Sequence, residues 1–242
     1  MASDMSGEVP QQLSLGVSLK DDATFDNFYA PGASPNAQAA AAVRAQAEAG
    51  GEQFIYLWGS SGVGLTHLLQ ASCHVAEARG FSVQYLPLKE LAGFAPEALL
   101  DGLDQLDLLC LDSLDAVAGR ADWEVALFAL YNALRDAGGR LLVAAGHSPR
   151  TLPVELADLA SRLQWGTVFQ VQGLDDADKQ QALMRRAHKR GLELTEEVAS
   201  YIVQRVPRDM NQLFCYLHRL DHASLTEQRR LTIPFVKKTL GL

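Results

Sequence analysis

The stretch Phe54-Ile-Tyr-Leu-Trp-Gly-Ser-Ser-Gly-Val-Gly-Leu-Thr66 decides the fold. Five apolar residues run into a glycine-rich turn, and the periodicity after Thr66 is helical, so the segment reads as a buried strand, a loop and a helix. Against the pattern G-x-x-x-x-G-K-[ST], Gly59, Gly64 and Thr66 stand in register and Gly62 adds a further small residue. Leu65 occupies the lysine position. The glycines let backbone N–H groups close on phosphate oxygens, while the next helix aims its positive end at the same anion. The cradle formed by Gly59, Ser60, Ser61, Gly62, Val63, Gly64, Leu65 and Thr66 does not need the lysine for that. What Leu65 removes is the charge that reaches the β- and γ-phosphates, so diphosphate binding suffers less than hydrolysis. A tight strand-to-helix turn that binds nothing is the competing reading.

Composition narrows the field. The 242 residues suffice for one large domain or two small ones, and 48% hydrophobic with 21% charged residues is ordinary for a globular protein. A net charge of -8 argues against nonspecific DNA or RNA binding as the main role. The charge is uneven: 9 Lys and Arg face 20 Asp and Glu up to Gly173, and 12 face 9 after it, which suggests two regions. Cys73, Cys110 and Cys215 sit apart on apolar segments and read as reduced core residues. The N-terminus lacks a secretory pattern and no apolar run approaches ~18 residues, so a cytoplasmic location is expected.

Residues 1–20 read as a flexible arm carrying Gln11-Gln12-Leu13-Ser14-Leu15-Gly16-Val17, a short apolar patch suited to a partner's groove or to an edge of its own domain. Phe25, Phe28 and Tyr29 either cover a nucleotide base or plug the domain edge. A helix is expected from Asn36 to Ala49, capped by Asn36 or Ser34, then strands at Phe81 to Leu88, Leu106 to Asp112, Leu141 to Ala145 and Thr167 to Val171. Helices are expected at Thr66 to Arg79, Leu91 to Leu103, Asp122 to Ala137 and Glu155 to Leu163. Five strands alternating with helices make a parallel α/β sheet over residues 21–173 with the loop at its carboxyl edge. Residues 174–242 carry only helical periodicity and form a small helical domain. On its first helix Arg185, Arg186, Lys189 and Arg190 read as a solvated face.

Asp112 ends the central apolar run, where a carboxylate orients Mg²⁺ beside the hydroxyl of Thr66; the alternative is a helix N-cap. The acid that would follow it to activate water is replaced by Ser113, with Asp115 two residues further on. After the fourth strand, Gly146-His147-Ser148-Pro149 lacks the Asn or Asp that senses a γ-phosphate.

Together these segments resemble the AAA+ module of the bacterial replication initiator DnaA, and most closely the Hda family of its regulatory relatives. The resemblance rests on Thr24-Phe25-Asp26-Asn27-Phe28, on Gly59 to His67, on Ser161-Arg162 with Trp165-Gly166, and on Leu231 to Lys237. It implies a five-stranded AAA+ α/β domain with an all-helical lid, and ADP, with or without Mg²⁺, held at the loop and Asp112. It implies that Gln12, Leu13, Ser14, Leu15 and Val17 bind the DNA polymerase sliding clamp, and that Arg162 is an arginine finger acting in trans on initiator DnaA. A salt bridge or helix C-cap is the other role open to Arg162. The family's sensor arginine falls on Asn211, with Arg208 nearby, and the initiator's C-terminal DNA-binding domain has no counterpart after Leu242. With Leu65, Ser113, Gly146 and Asn211 at the positions that read or cleave a γ-phosphate, fast ATP hydrolysis by the chain itself is not expected.

Three functions are therefore in play. The first is a clamp-bound regulator that inactivates DnaA, self-associating as its relatives do. The second is a nucleotide-free adaptor with a relic loop, and the third an independent NTPase using Asp112.

Overall fold

In the computed structural model, which describes residues 19–206, 209–227 and 229–241, the apolar runs become parallel strands. The order is α1 (Pro35–Ala47), β1 (Phe54–Trp58), α2 (Leu65–Ala78), β2 (Val83–Pro87), α3 (Leu88–Leu91), α4 (Pro96–Leu100), β3 (Leu108–Asp112), α5 (Ala121–Ala137), β4 (Arg140–Ala145), α6 (Ala157–Leu163) and β5 (Thr167–Gln170). The strands pair in parallel as β2-β3-β4-β1-β5. Every residue of β3 is buried, as a central strand covered on both faces requires.

Alternation along the strands builds two cores from one sheet. Tyr56, Leu109, Leu111 and Val143 face Trp123, Leu127 and Leu134 of α5. Ile55, Leu57, Cys110 and Leu142 face Val43 of α1 and Leu68, Leu69 and Cys73 of α2. Trp58 pairs with Ala145 and Leu111 with Val143, so β1, β3 and β4 end along the same edge. The loop after β1 and the carboxylate of Asp112 are brought together there by register alone.

Local chemistry sets the element ends. Ser34 caps α1 by accepting from the Ala37 N–H at 3.2 Å. Asn36, the other cap candidate, instead exchanges two 2.8 Å hydrogen bonds with the backbone of Gln172 and ties α1 to the exit of β5. The continuous helix expected from Leu91 to Leu103 is not formed. It is broken into α3, α4 and a 3₁₀ turn at Leu103–Gln105, because Pro96 starts a new helix and Gly102 takes a φ of +73°. Cys73 and Cys110 are buried free thiols, whereas Cys215 is exposed and is not a core residue.

Beyond β5 come α7 (Asp176–Lys189), α8 (Glu196–Arg205), α9 (Met210–Glu227) and α10 (Ile233–Leu240). Asp175, Thr195 and Thr232 cap α7, α8 and α10 with their side chains. Their apolar stripes meet in a third core around Leu183, Ile202, Leu217 and Val236. Five parallel strands with a helical lid are the AAA+ architecture. Among the described residues no helix is long and apolar enough to cross a membrane.

One buried acid fixes the approach to α6. Glu124, 2% exposed in the first turn of α5, accepts from the backbone N–H groups of Gly119 at 2.6 Å, Glu155 at 3.1 Å and Leu156 at 2.7 Å. Three donors lose their partner if the carboxylate is removed. Glu124→Ala is expected to lower the unfolding free energy in urea by about 3 kcal/mol, with Glu124→Gln retaining part of it; equal denaturation midpoints for wild type and Glu124→Ala would contradict this role.

Candidate functional site

The loop after β1 is built by close approach. A methyl group on Gly59 would lie 2.3 Å from the Val171 carbonyl oxygen, and one on Gly64, whose φ is +104°, would lie 2.8 Å from the Phe28 ring. Only glycine fits either place. Gly59, Ser60, Ser61, Gly62, Gly64, Leu65 and Thr66 line a cavity of about 280 Å³ at the N-terminus of α2. Val63 does not line it; its side chain packs toward the α1–α2 core.

Asp112 and Thr66 meet across this cavity. Asp112, 6% exposed, accepts from the Thr66 hydroxyl at 2.6 Å and from the Tyr85 hydroxyl at 2.7 Å on the same oxygen, and from the Ser113 hydroxyl at 3.3 Å on the other. These bonds exclude the helix-cap alternative, since the 3₁₀ turn that follows has no side-chain cap. Burial, and then the Asp112 carboxylate beside it, push the Tyr85 phenol far above its usual range, so it stays a donor. Tyr85 was not singled out in the sequence; only its place on the strand beside β3 would have pointed to it. Ser113 takes the left-handed conformation, φ 60°, and turns the chain along the cavity wall.

One carboxylate and one hydroxyl suit a Mg²⁺ ion that draws its other ligands from phosphate and water. Among the described residues no group of three or more His, Cys, Asp or Glu side chains could hold a metal by itself.

Asp115 also lines the cavity, but its carboxylate is already engaged. It accepts from the Gly146 N–H at 2.6 Å and contacts His147 Nδ1 at 2.6 Å, while the Tyr56 hydroxyl donates to the His147 carbonyl at 2.9 Å. The tip of β4 therefore carries an Asp–His pair in place of a single polar sensor.

A second cavity of about 360 Å³ adjoins the first and shares Thr66 and Asn211 with it. Lys20 and Asp22, His67 and Gln70 of α2, and Arg186, Phe214 and His218 of the lid form its walls. Phe25 and Phe28 do not line it and pack on the α1–α2 core, with Phe28 5.9 Å from the His67 ring; the edge-plug reading holds for both. Tyr29 reaches Asp178 at 3.5 Å.

The basic cluster of α7 is not a solvated face. Arg186 is 8% exposed, pairs with Asp22 and lies 4.7 Å from the Phe214 ring centre. Arg190 reaches Asp22 and Asp221, each at 3.6 Å, and Lys189 donates to the Asp26 carbonyl at 2.6 Å and the Asn27 amide oxygen at 3.0 Å. Arg185 and Lys189 are both exposed, and Lys189 is held by these hydrogen bonds. Sequence periodicity could place these cations on one helix but not name acceptors such as Asp22 and Asp26, more than 150 residues away.

Two sequence profiles divide the chain at the same place as its architecture. That of the bacterial DnaA ATPase domain matches residues 19–170, and that of the Hda lid domain matches residues 176–240. The chain belongs to the bacterial DnaA ATPase-domain family. Among solved structures it is similar to domain III of the Thermotoga maritima replication initiation protein DnaA, with a TM-score of 0.78 and 23% identity over 93% of this chain and 98% of that one. It is similar to AMPPCP-bound DnaA from Aquifex aeolicus at a TM-score of 0.71 and 26% identity, over 83% of this chain and 65% of that one. The Thermotoga maritima RuvB Holliday junction branch migration motor shares the fold at a TM-score of 0.63 and 16% identity, over 90% and 73%.

Two further residues singled out by the likeness to DnaA have defined places. Asn211, in the first turn of α9, faces both cavities. Arg162, in the last turn of α6, lies outside the loop cavity; its guanidinium sits 3.9 Å above the Trp165 ring, and its Nη1 is buried with no hydrogen-bond partner among the described residues. No salt bridge to Arg162 exists among the described residues. Arg208 and the segment Gln12, Leu13, Ser14, Leu15 and Val17 lie outside the described residues.

His67 provides a titration that reports on the second cavity. Its Nε2–H donates to the Thr24 carbonyl at 2.8 Å, and burial lowers its pKa from 6.5. The neutral ring is favoured in the folded state, so its contribution is complete above pH 6.5 and is lost as pH falls toward the lowered folded value. Urea unfolding between pH 7.5 and about 5.5 is therefore expected to show a steeper loss of stability for wild type than for His67→Gln. Parallel profiles would mean that the ring is not held neutral.

Proposed function

We propose that this protein is a regulatory AAA+ protein which, tethered to the DNA-loaded sliding clamp through Gln12 to Val17, stimulates ATP hydrolysis by initiator DnaA and so prevents re-initiation of replication. The observation that carries this reading is a mismatch between its two halves of catalytic equipment. The chain's own loop has Leu65 for lysine, Ser113 for the second acid and Asn211 on the lid, while Arg162 stands outside that site with an unpartnered guanidinium nitrogen. A cation that is not spent on an internal acid is available to a neighbour's nucleotide. Placed beside a γ-phosphate, a guanidinium stabilises the charge that develops on the equatorial oxygens in the transition state. Trp165 is exposed, and the Arg162 guanidinium stacks on its ring.

On this reading the chain's own site holds ADP. Backbone N–H groups of Gly59 to Thr66 and the positive end of α2 bind the diphosphate, and the second cavity takes the base and sugar. Mg²⁺, when bound between Thr66, Asp112 and the phosphates, neutralises part of their charge. The base cavity has walls from both the α/β part and the lid, so occupancy fixes one against the other and thereby the face that carries Arg162. Self-association through that face fits the same picture.

The test is DnaA ATP hydrolysis in the presence of clamp, DNA and this chain. Arg162→Ala is expected to remove the stimulation, a loss of roughly 10³-fold in the partner's rate by the usual size of such fingers, while leaving clamp binding intact. Stimulation equal to wild type sinks the mechanism. A nucleotide-free adaptor is separated by thermal unfolding with millimolar ADP, since a ligand that binds only the folded state must raise its stability.

A further inference from the structure

The lid touches the loop through a negative charge. Asp209 stands just ahead of α9, where its Oδ1 accepts the Asn211 N–H at 2.9 Å. The same carboxylate lies over the middle of the loop: a methyl group on Gly62, whose φ is +83°, would lie 2.3 Å from Asp209 Oδ1 and 2.8 Å from its Cγ. A glycine at position 62 is what leaves room for it.

The electrostatic setting makes this contact consequential. Asp112 and Asp115 already line the loop cavity, and among the described residues no Lys or Arg does. The cations of the region, Lys20, Arg186 and Arg190, lie in the adjoining cavity. An anion entering the loop thus meets backbone dipoles that attract it and carboxylates that repel it, with no side-chain cation of the described residues lining the cavity to offset them. Each further negative charge on the anion adds to that repulsion.

We propose that Asp209 sets the anion selectivity of the loop, its carboxylate disfavouring the extra negative charge of a nucleoside triphosphate so that the corresponding diphosphate is preferred. This inference rests on the reading of the loop as a nucleotide site. It assigns the preference to a charge on the lid rather than only to the missing lysine. Because Asp209 belongs to the lid, any motion that lifts α9 from Gly62 also relaxes the selectivity.

The experiment is calorimetric titration of the full chain with ADP and with ATP, each with Mg²⁺, for wild type, Asp209→Asn and Asp209→Ser. Asn and Ser both keep an acceptor for the Asn211 N–H, so helix capping persists while the charge is lost. The expected result is that both variants gain more affinity for ATP than for ADP, by about tenfold, which is the effect of one unit charge roughly 6 Å away at an effective dielectric near 40. Nucleotide binding by a variant where wild type shows none would also support the gate. Wild-type binding with an unchanged ADP-to-ATP ratio in both variants overturns it and leaves the nucleotide reading standing. Absence of binding in all three proteins at millimolar nucleotide overturns both.

Discussion

The Asp22 carboxylate holds the molecule's two parts in one arrangement. It receives Arg186 and Arg190 from the first lid helix, and Arg186 is otherwise enclosed against Phe214. An exposed pair of this kind would contribute little. Here the guanidinium is desolvated, and removing its acid would strand a buried charge, which is far more costly than the pair is stabilising. Lys189, one residue before Arg190, extends the clasp to the Asp26–Asn27 backbone and amide. The lid has its own core, so without this clasp little beyond loop contacts would fix its angle. With it, α9 stands over the loop, and both cavities have walls.

The sheet supplies the opposite wall by a different physical route. Parallel register places the ends of β1, β3 and β4 side by side, and the alternating apolar residues that force this register are buried on both faces. Asp112 arrives at the loop because β3 cannot slip by one residue without turning Leu109 and Leu111 into the wrong core. Once there, its charge is stabilised by three hydroxyls rather than by a cation. The loop cavity is thereby acidic on the side of Asp112, and among the described residues no Lys or Arg lines it to offset that charge.

What could be read in the sequence follows from which forces are local. The strands, the loop glycines and the lid helices rest on periodicity, spacing and short-range chemistry, and the pairing of Thr66 with Asp112 was legible only as part of a motif. The contacts that escaped notice are tertiary. Tyr85 finds Asp112 through strand pairing, Glu124 finds the backbone before α6, and Arg186 finds Asp22 164 positions away. The same limit explains the misjudged basic face of α7: amphipathic spacing says which side of a helix is charged, not whether acids elsewhere will cover it. The helix expected from Leu91 to Leu103 failed for a local reason, because Pro96 and Gly102 outweighed the apolar pattern.

The acidic loop cavity and the uncommitted Arg162 bear on each other through charge. A site that hydrolyses its own nucleotide needs a cation over the terminal phosphate and a carboxylate free to order water. In this chain Asp115 is bound on both oxygens by Gly146 and His147, and no cation of the described residues lines the cavity. Arg162 does not compensate, because α6 is fixed at another place by Glu124 and leads into β5, beyond β1 from β3. Its enclosed Nη1 has no hydrogen-bond partner among the described residues, and leaving such a donor unmatched is costly.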